Sequence, residues 1–248
     1  MQEAYPRAGS IALVTGASAG IGEQTARLLI DAGCRVVCAA RRMARLEQLV
    51  QRLGERAIAL QLDVNSNTSV DSLYERLPQA WHDMDILVNN AGHDVGGRRL
   101  FHEGGSDQWI EIVNTNVSGM LRVTRKVIDG MLARDFGHIV NIGSIAGILP
   151  YATGSVYAAT KHAVHGFSQA LRLDYADTGI RVSEIMPGMV RTEFAATRLG
   201  GDTAKGAAFY DSHGVCLRPE DVARSVLFAL QQPPQVVISQ LVVMPGGR

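Results

Sequence analysis

Three side chains in the second half of the chain have the types and spacing of an acid–base site. Tyr157 and Lys161 are four residues apart in a Tyr-x-x-x-Lys run, and Ser144 lies thirteen residues before the tyrosine. In a helix, a spacing of four places two side chains on one face, about one turn apart. An ammonium group beside a phenol favours the phenolate and lowers the tyrosine pKa from its ordinary value of about 10. Such a tyrosine exchanges a proton with a substrate oxygen, and a nearby serine hydroxyl holds that oxygen.

An amphipathic helix with a surface lysine would show the same spacing. The secondary structure predicted around these residues therefore has to distinguish a catalytic site from an ordinary helix. Short apolar runs, most of them rich in Val, Ile and Leu, alternate with segments of helical periodicity, which is typical of a parallel sheet covered on both faces. The predicted strands are 11–14, 35–39, 57–62, 85–88, 138–142, 181–185 and 236–243. The predicted helices include 22–32, 43–53, 67–77, 106–133, 156–175 and 219–230. We therefore predict an α/β fold: one domain over residues 1–248, with a doubly wound, seven-stranded parallel sheet.

Two segments fall outside this alternation, a glycine-rich loop at 93–105 and the stretch 189–216. Long loops in compact α/β domains are commonly functional. The second segment contains several glycines and small polar residues. We expect it to form a mobile lid over a substrate.

Composition excludes several functional classes. The chain has 24 Lys and Arg residues against 24 Asp and Glu residues, and no basic run longer than a pair stands out, so neither nucleic-acid nor membrane binding is expected. Cys34, Cys38 and Cys216 have no zinc-like spacing, and no metal site is predicted. Free thiols, a start without an apolar leader and no apolar stretch of membrane-spanning length favour a cytoplasmic protein.

A glycine-rich string follows the first predicted strand and leads into a helix, reading Thr-Gly-Ala-Ser-Ala-Gly-Ile-Gly over residues 15–22. The glycines allow a tight turn and close backbone approach, and the helix start offers free N–H groups to a pyrophosphate. The second strand ends without an acidic residue and runs into Arg41 and Arg42. A carboxylate there would select the ribose hydroxyl of NAD, whereas arginine accommodates the 2′-phosphate of NADP. We therefore predict NADP as the cofactor, although surface arginines at a helix start are also common.

Taken together, the motifs resemble those of the short-chain dehydrogenase/reductases over nearly the whole chain. The matching motifs are Thr15 to Gly22, Asn89-Asn90-Ala91-Gly92, Asn116, Ser144, Tyr157 with Lys161, and Pro187-Gly188. The resemblance implies a Rossmann-like fold, a nicotinamide cofactor and a homotetramer or homodimer. It also implies that Tyr157 is the general acid/base, that Ser144 positions the substrate oxygen, that Lys161 lowers the tyrosine pKa and binds the ribose, and that Asn116 holds a relay water. The cofactor residues it implies, together with the arginine pair, are Gly16, Ser18, Ala19, Gly20, Ile21, Gly22, Arg41, Arg42, Asp63, Val64, Asn90, Gly92, Tyr157, Lys161, Pro187, Gly188 and Thr192.

Within this family the chain is most similar to NADP-dependent serine and 3-hydroxy acid dehydrogenases. The similarity rests on the arginine pair, the Pro-Tyr-Ala run that begins at Pro150, the Thr-Glu-Phe run that begins at Thr192, and Arg198. Ser155 and the loop 92–99 depart from that subgroup and leave the substrate open.

The predicted substrate contacts are Ser144, Tyr151, Tyr157 and Arg198. Arg198 either clamps a substrate carboxylate or is a solvated lid arginine.

The first function hypothesis is an NADP(H)-dependent oxidoreductase for a small hydroxy acid or aldehyde with an anionic group. The second is a carbonyl reductase for bulkier ketones or a biosynthetic intermediate, with an apolar pocket under Leu149, Met189, Phe194 and Leu199. The third is a cofactor-binding regulator without catalysis, which the four filled catalytic positions disfavour.

Overall fold

A single parallel sheet organises the computed structural model, which describes residues 5–247. Its strand order is β3-β2-β1-β4-β5-β6-β7, and every pairing is parallel. The strands are β1 Ile11–Thr15, β2 Arg35–Ala40, β3 Ala57–Gln61, β4 Met84–Asn89, β5 Gly137–Ile142, β6 Ile180–Pro187 and β7 Gln240–Val243. The predicted seven-stranded, doubly wound sheet is confirmed.

Helices cover both faces of the sheet. They are α1 Gly20–Asp31, α2 Met43–Leu53, α3 Asn67–Asp71, α4 Ser106–Val113, α5 Met120–Ala133, α6 Ser155–Asp174, α7 Phe194–Arg198, α8 Thr203–Asp211 and α9 Pro219–Leu230. A π-helical segment, Asn114–Gly119, joins α4 to α5.

The side chains of each strand point alternately to the two faces of the sheet, so the apolar core consists of two clusters, one on each face. Leu13 of β1 packs in one cluster with Val127 of α5, whereas the next residue, Val14, packs in the other with Leu29 of α1 and Val226 of α9. Successive side chains of a strand point to opposite faces, so each buried strand supplies both layers. This is why most residues of these strands are apolar.

Four predicted elements differ from the structure. The predicted helix 106–133 is divided by the π-helical segment Asn114–Gly119. The predicted helix 67–77 is only α3 followed by a short 3₁₀ turn at Tyr74–Arg76, in a stretch of Ser, Thr and Asn where Ser72 Oγ donates to the Thr68 carbonyl. The predicted strand 236–243 begins at Gln240. Before it, the Arg181 guanidinium donates to the Gln232 and Val236 carbonyls at 2.9 and 3.2 Å and holds the chain in a turn. Finally, the predicted loop 189–216 contains α7 and α8.

Candidate active site

A cavity of about 660 Å³ opens at the carboxyl ends of the strands, where β1 and β4 lie side by side. At this point the chain order in the sheet reverses, which is where ligands bind in doubly wound sheets. The cavity wall contains every predicted site residue except Gly22 and Asn116. Those lining it are Gly16, Ser18, Ala19, Gly20, Ile21, Arg41, Arg42, Asp63, Val64, Asn90, Gly92, Ser144, Tyr151, Tyr157, Lys161, Pro187, Gly188, Thr192 and Arg198.

The glycine-rich turn is closed by Asn90 at the end of β4. Asn90 Nδ2 donates to the Thr15 carbonyl at 2.9 Å. Gly16 has a φ of +67°, and a Cβ on it would lie 2.8 Å from Asn90 Nδ2. A Cβ on Gly22 would lie 2.5 Å from the Gly16 carbonyl oxygen. Gly22 therefore lets α1 pack against the turn, while the residues before it line the cavity.

An arginine cluster lies at the end of β2. Arg42 donates from Nε and Nη2 to Ser18 Oγ at 3.1 and 2.9 Å. Its Nη1 also lies 3.1 Å from Glu193, which in turn lies 2.7 Å from Arg45 Nη1. Arg41 lines the same part of the cavity and has no acidic partner among residues 5–247. The cluster carries three cations against one carboxylate and so fits a bound anion.

The remaining predicted cofactor residues lie at strand ends around the same opening. Asp63 follows β3, and its Oδ1 accepts from the Asn65 backbone N–H at 3.0 Å. Gly188 follows β6 and donates its N–H to the Val243 carbonyl at 2.8 Å. Thr192 Oγ1 accepts from the Phe194 N–H at 3.1 Å at the start of the lid. These contacts fix the backbone of the cavity rim.

The three residues of the acid–base pattern lie together on the opposite part of the wall. Tyr157 and Lys161 are one turn apart on α6, and Ser144 lies two residues after β5 at the start of a 3₁₀ turn. Ser144 is buried, and its Oγ accepts from the Ala146 N–H at 3.1 Å. The Ser144 hydroxyl is close enough to the Tyr157 phenol to lower the pKa of that phenol. A substrate oxygen placed here would meet both hydroxyl groups.

The pKa of Tyr157 is shifted in the direction opposite to the one predicted. Burial raises the pKa of this phenol above its ordinary value, and the nearby Ser144 hydroxyl acts against that. The buried Lys161 ammonium donates to the Ile142 carbonyl at 2.8 Å and lies 5.8 Å from the centre of the tyrosine ring. Burial also lowers the pKa of Lys161 to about 8. Tyr157 is therefore a protonated hydrogen donor at neutral pH.

Asn116 lies inside the π-helical segment and is held from three sides. Its Oδ1 accepts from the His93 backbone N–H at 2.9 Å, and its Nδ2 donates to the His93 carbonyl at 2.9 Å and to Thr160 Oγ1 at 3.1 Å. It thus ties the loop after β4 to α6 just behind the acid–base pair. π-Segments are often found at functional sites, but the sequence pattern predicted an uninterrupted helix here.

Arg198, at the end of α7, is buried and ion-paired. Its Nε lies 2.8 Å from Oδ2 of Asp94, and the two side chains are 9% and 2% exposed. Its carbonyl also accepts from the Gly96 N–H at 3.0 Å. A Cβ on Gly97 would lie 2.3 Å from the Asp94 carboxyl group, so the glycines of this loop make room for the pair. The predicted solvated lid arginine is therefore wrong, and the carboxylate clamp stays a prediction.

Comparison with known proteins agrees with this geometry. The family model for short chain dehydrogenases matches residues 10–201. The chain belongs to the short-chain dehydrogenase family. An NADP-dependent 3-hydroxy acid dehydrogenase of Escherichia coli is 42% identical over 95% of this chain and 94% of its own length. A protein of the same name from Schizosaccharomyces pombe is 38% identical over 96% and 93%.

Solved structures of the family superpose closely on the chain. The closed form of a serine dehydrogenase complexed with NADP⁺ has a TM-score of 0.91 at 42% identity, covering 95% of this chain and 94% of its own. A variant of actinorhodin polyketide ketoreductase with NADPH has a TM-score of 0.85 at 34% identity, covering 96% and 97%. The predicted Rossmann-like short-chain dehydrogenase/reductase is confirmed.

In this short-chain dehydrogenase, sequence reasoning missed several residues of the cavity wall. Arg98, Glu193 and Phe209 line it, and of the apolar residues expected there Leu149, Met189 and Phe194 do so, but Leu199 does not. Arg98 was visible in the sequence only as part of a short basic pair, and Glu193 only as part of a lid motif. Their positions depend on how the lid packs.

Two further observations concern metal sites and membrane-spanning helices. Within residues 5–247, no group of three or more His, Cys, Asp or Glu side chains is placed to hold a metal ion. None of the helices in that range has the length and hydropathy needed to cross a membrane.

Proposed function

We propose that this protein is an NADP(H)-dependent oxidoreductase that transfers hydride between nicotinamide and a small hydroxy acid or aldehyde bearing an anionic group. One observation carries the proposal: Ser144, Tyr157 and Lys161 lie on the wall of the same cavity as the glycine-rich turn and Arg42. The dehydrogenase and ketoreductase relatives are named for, or described with, NADP⁺ or NADPH. When bound, the nicotinamide supplies or accepts the hydride.

The cavity residues fit such a cofactor. The turn from Gly16 to Gly20 brings backbone close to the opening, and the start of α1 offers N–H groups to a pyrophosphate. Arg42, held by Ser18, with Arg41 beside it, would bind the 2′-phosphate. Lys161 would hold the nicotinamide ribose.

The proton transfer depends on Tyr157 and Ser144. In the reducing direction, the protonated phenol of Tyr157 donates to the carbonyl oxygen as that oxygen gains charge. Ser144 holds the same oxygen, and Lys161 carries the positive charge that stabilises the phenolate left behind. Asn116 would position a water that returns the proton. The raised pKa of Tyr157 suits its role as a donor.

The lid would close over the substrate. Phe194 of α7 packs edge-on against the Tyr157 ring at 5.8 Å between centroids, so the lid reaches the reacting phenol. The serine dehydrogenase relative, which is 42% identical, adopts a closed form in its complex with NADP⁺. Closure of this kind excludes water from the reaction.

The alternative function is reduction of bulkier ketones. The observation that favours it is the apolar wall formed by Leu149, Met189 and Phe194, together with the similarity to a polyketide ketoreductase. An assay that compares small anionic aldehydes with NADPH and β-hydroxy acids with NADP⁺ against bulky neutral ketones with NADPH separates the two. Turnover of neither class would favour the third hypothesis, a cofactor-binding regulator.

Assembly and location are proposed by analogy with the family. The exposed apolar residues at this edge of the sheet are Val242 of β7, Met244 just after it and Phe228 of the neighbouring α9. They support a homodimer or homotetramer built through this edge. Light scattering after size-exclusion chromatography measures the assembly.

A cytoplasmic location is supported by three free cysteines, of which Cys34 and Cys38 are buried and have pKa values raised by burial to about 11 and 12.

A further inference from the structure

One cation at the cavity mouth is not neutralised. The exposed Arg98 side chain lines the cavity, and residues 5–247 offer it no carboxylate within ion-pair distance. Its guanidinium carbon lies 5.0 Å from the centre of the Tyr151 ring and 5.1 Å from that of Phe209 in α8. Stacking of this kind orients a guanidinium group while leaving its N–H donors free.

The other arginine of the substrate region is already paired. Arg198 lies 2.8 Å from Asp94, and both side chains are buried, so their charges cancel inside the wall. A substrate carboxylate that bound Arg198 would have to displace Asp94 and leave it buried without a partner, which is costly. Because Arg198 and Asp94 pair with each other, Arg98 is the one of these three charged residues that remains available to a substrate.

The position of Arg98 relative to the acid–base pair also suits a substrate contact. Tyr151 is close to both: its ring centre lies 5.0 Å from the Arg98 guanidinium carbon, and its phenol is near enough to Tyr157 to raise the pKa of that residue. All three side chains line the same cavity. Arg98 has a φ of +61°, a backbone conformation that non-glycine residues seldom adopt and that is often retained for function.

We propose that Arg98 binds the anionic group of the substrate, at the end of the molecule away from the reacting carbon. The Arg198–Asp94 pair then attaches the lid to the loop after β4. The proposal rests on the proposed oxidoreductase function and names the residue that would select acidic substrates within it. The expected substrate is a carbonyl compound or alcohol whose carboxylate, or a similar planar anion, is separated by a few bonds from the reacting carbon.

The test compares Arg98→Gln with Arg99→Gln, its neighbour in the chain, which does not line the cavity. Activity with NADPH is measured on 4-oxobutanoate and on its methyl ester, which differ in one charge. A charge-assisted contact is worth about 1.5–3 kcal/mol, so the acid-to-ester ratio of kcat/KM should fall about ten- to a hundredfold in Arg98→Gln. The ratio should stay at the wild-type value in Arg99→Gln. An unchanged ratio in Arg98→Gln, or an equal fall in both variants, overturns the proposal.

A binding measurement keeps this test independent of turnover. Succinate, which carries no reacting carbonyl, is titrated by calorimetry into the protein saturated with NADP⁺. We expect binding by the wild type and Arg99→Gln and at least tenfold weaker binding by Arg98→Gln. Equal succinate affinities in wild type and Arg98→Gln contradict the proposal, as does a loss confined to Arg198→Met. Failure of the proposed function is seen separately, as no turnover of either the acid or the methyl ester by the wild type.

Discussion

The Arg42 guanidinium and the Glu193 carboxylate are in contact, with Nη1 of the arginine 3.1 Å from Oε2 of the glutamate. Arg42 follows β2 at the proposed 2′-phosphate site, whereas Glu193 directly precedes α7 at the start of the lid. Arg45 binds the same carboxylate, and the two arginines hold the pKa of Glu193 below its ordinary value against the effect of burial. A 2′-phosphate would therefore compete with a lid residue for its cations.

Removing the charge of Glu193 should tighten NADPH binding. Both partners are about half exposed, and exposed pairs are worth about 0.2–1 kcal/mol, so Glu193→Gln should lower the Kd for NADPH up to about fivefold. The Kd for NADH should change less. Fluorescence titration measures both constants. Glu23→Gln, which removes an ion pair with Arg52 outside the cavity, is the control and should change neither. An equal gain in NADH affinity would show that a change in the lid, and not the removed charge, causes the tighter binding.

Removing the charge of Arg42 should weaken selection of NADPH over NADH. A charge-assisted contact to a phosphate contributes about 1.5–3 kcal/mol, so Arg42→Gln should reduce the preference in kcat/KM about ten- to a hundredfold. Replacing Ala40 by Asp together with Arg41→Gln should move it further towards NADH. Equal kcat/KM for both cofactors in the wild type would contradict the assignment.

Tyr157→Phe should nearly abolish turnover and leave cofactor binding almost intact. The change removes the proton donor and keeps the ring that packs against Phe194. Losing a general acid typically costs about a hundredfold or more in rate. Initial rates report kcat, and NADPH titration should give a Kd within a few-fold of the wild type. Wild-type kcat in the variant would exclude the proposed mechanism.

Most of the fold was predictable because local pattern and tertiary packing agree along it. The buried strands are mostly apolar. The helices α2 and α9 have the predicted bounds, since each pairs an amphipathic pattern with clear ends. The π-segment around Asn116 was not predictable, because it depends on hydrogen bonds from Asn116 to His93 and Thr160 in other elements. The late start of β7 likewise depends on Arg181.

The candidate site could likewise be predicted only in part. Residues that belong to sequence motifs, such as Gly16, Ser144 and Tyr157, could be found from the sequence. The pairing of Arg198 with Asp94 could not, because it joins the lid to a distant loop. The sign of the Tyr157 pKa shift depends on how deeply the phenol is buried, which spacing along a helix does not report.

The pH dependence of activity should follow Lys161. Burial lowers its pKa to about 8, and the carboxylate of Glu184 acts in the opposite direction. The ammonium form is present below that pKa and is lost as the pH rises through it, so kcat/KM should decline above about pH 8. The raised pKa of Tyr157 keeps the phenol protonated over this range. Glu184→Gln removes the charge that favours the ammonium, so the decline should move to lower pH. A decline at the same pH in both proteins would show that another group titrates.

The buried Asp94–Arg198 pair should contribute to stability as a unit. Breaking a buried ion pair by removing one partner costs about 3–5 kcal/mol, because the other charge stays buried without compensation. Asp94→Asn and Arg198→Met should each lower the free energy of unfolding by that order, and the double variant should lose much less than their sum. Urea unfolding of the four proteins gives the coupling energy. The matched control is Arg191→Met, which breaks the exposed pair with Asp211, where the side chains are 47% and 68% exposed, and should cost less than about 1 kcal/mol. Additive losses for Asp94 and Arg198 would show that the two side chains act independently, and the clamp role of Arg198 would then regain support.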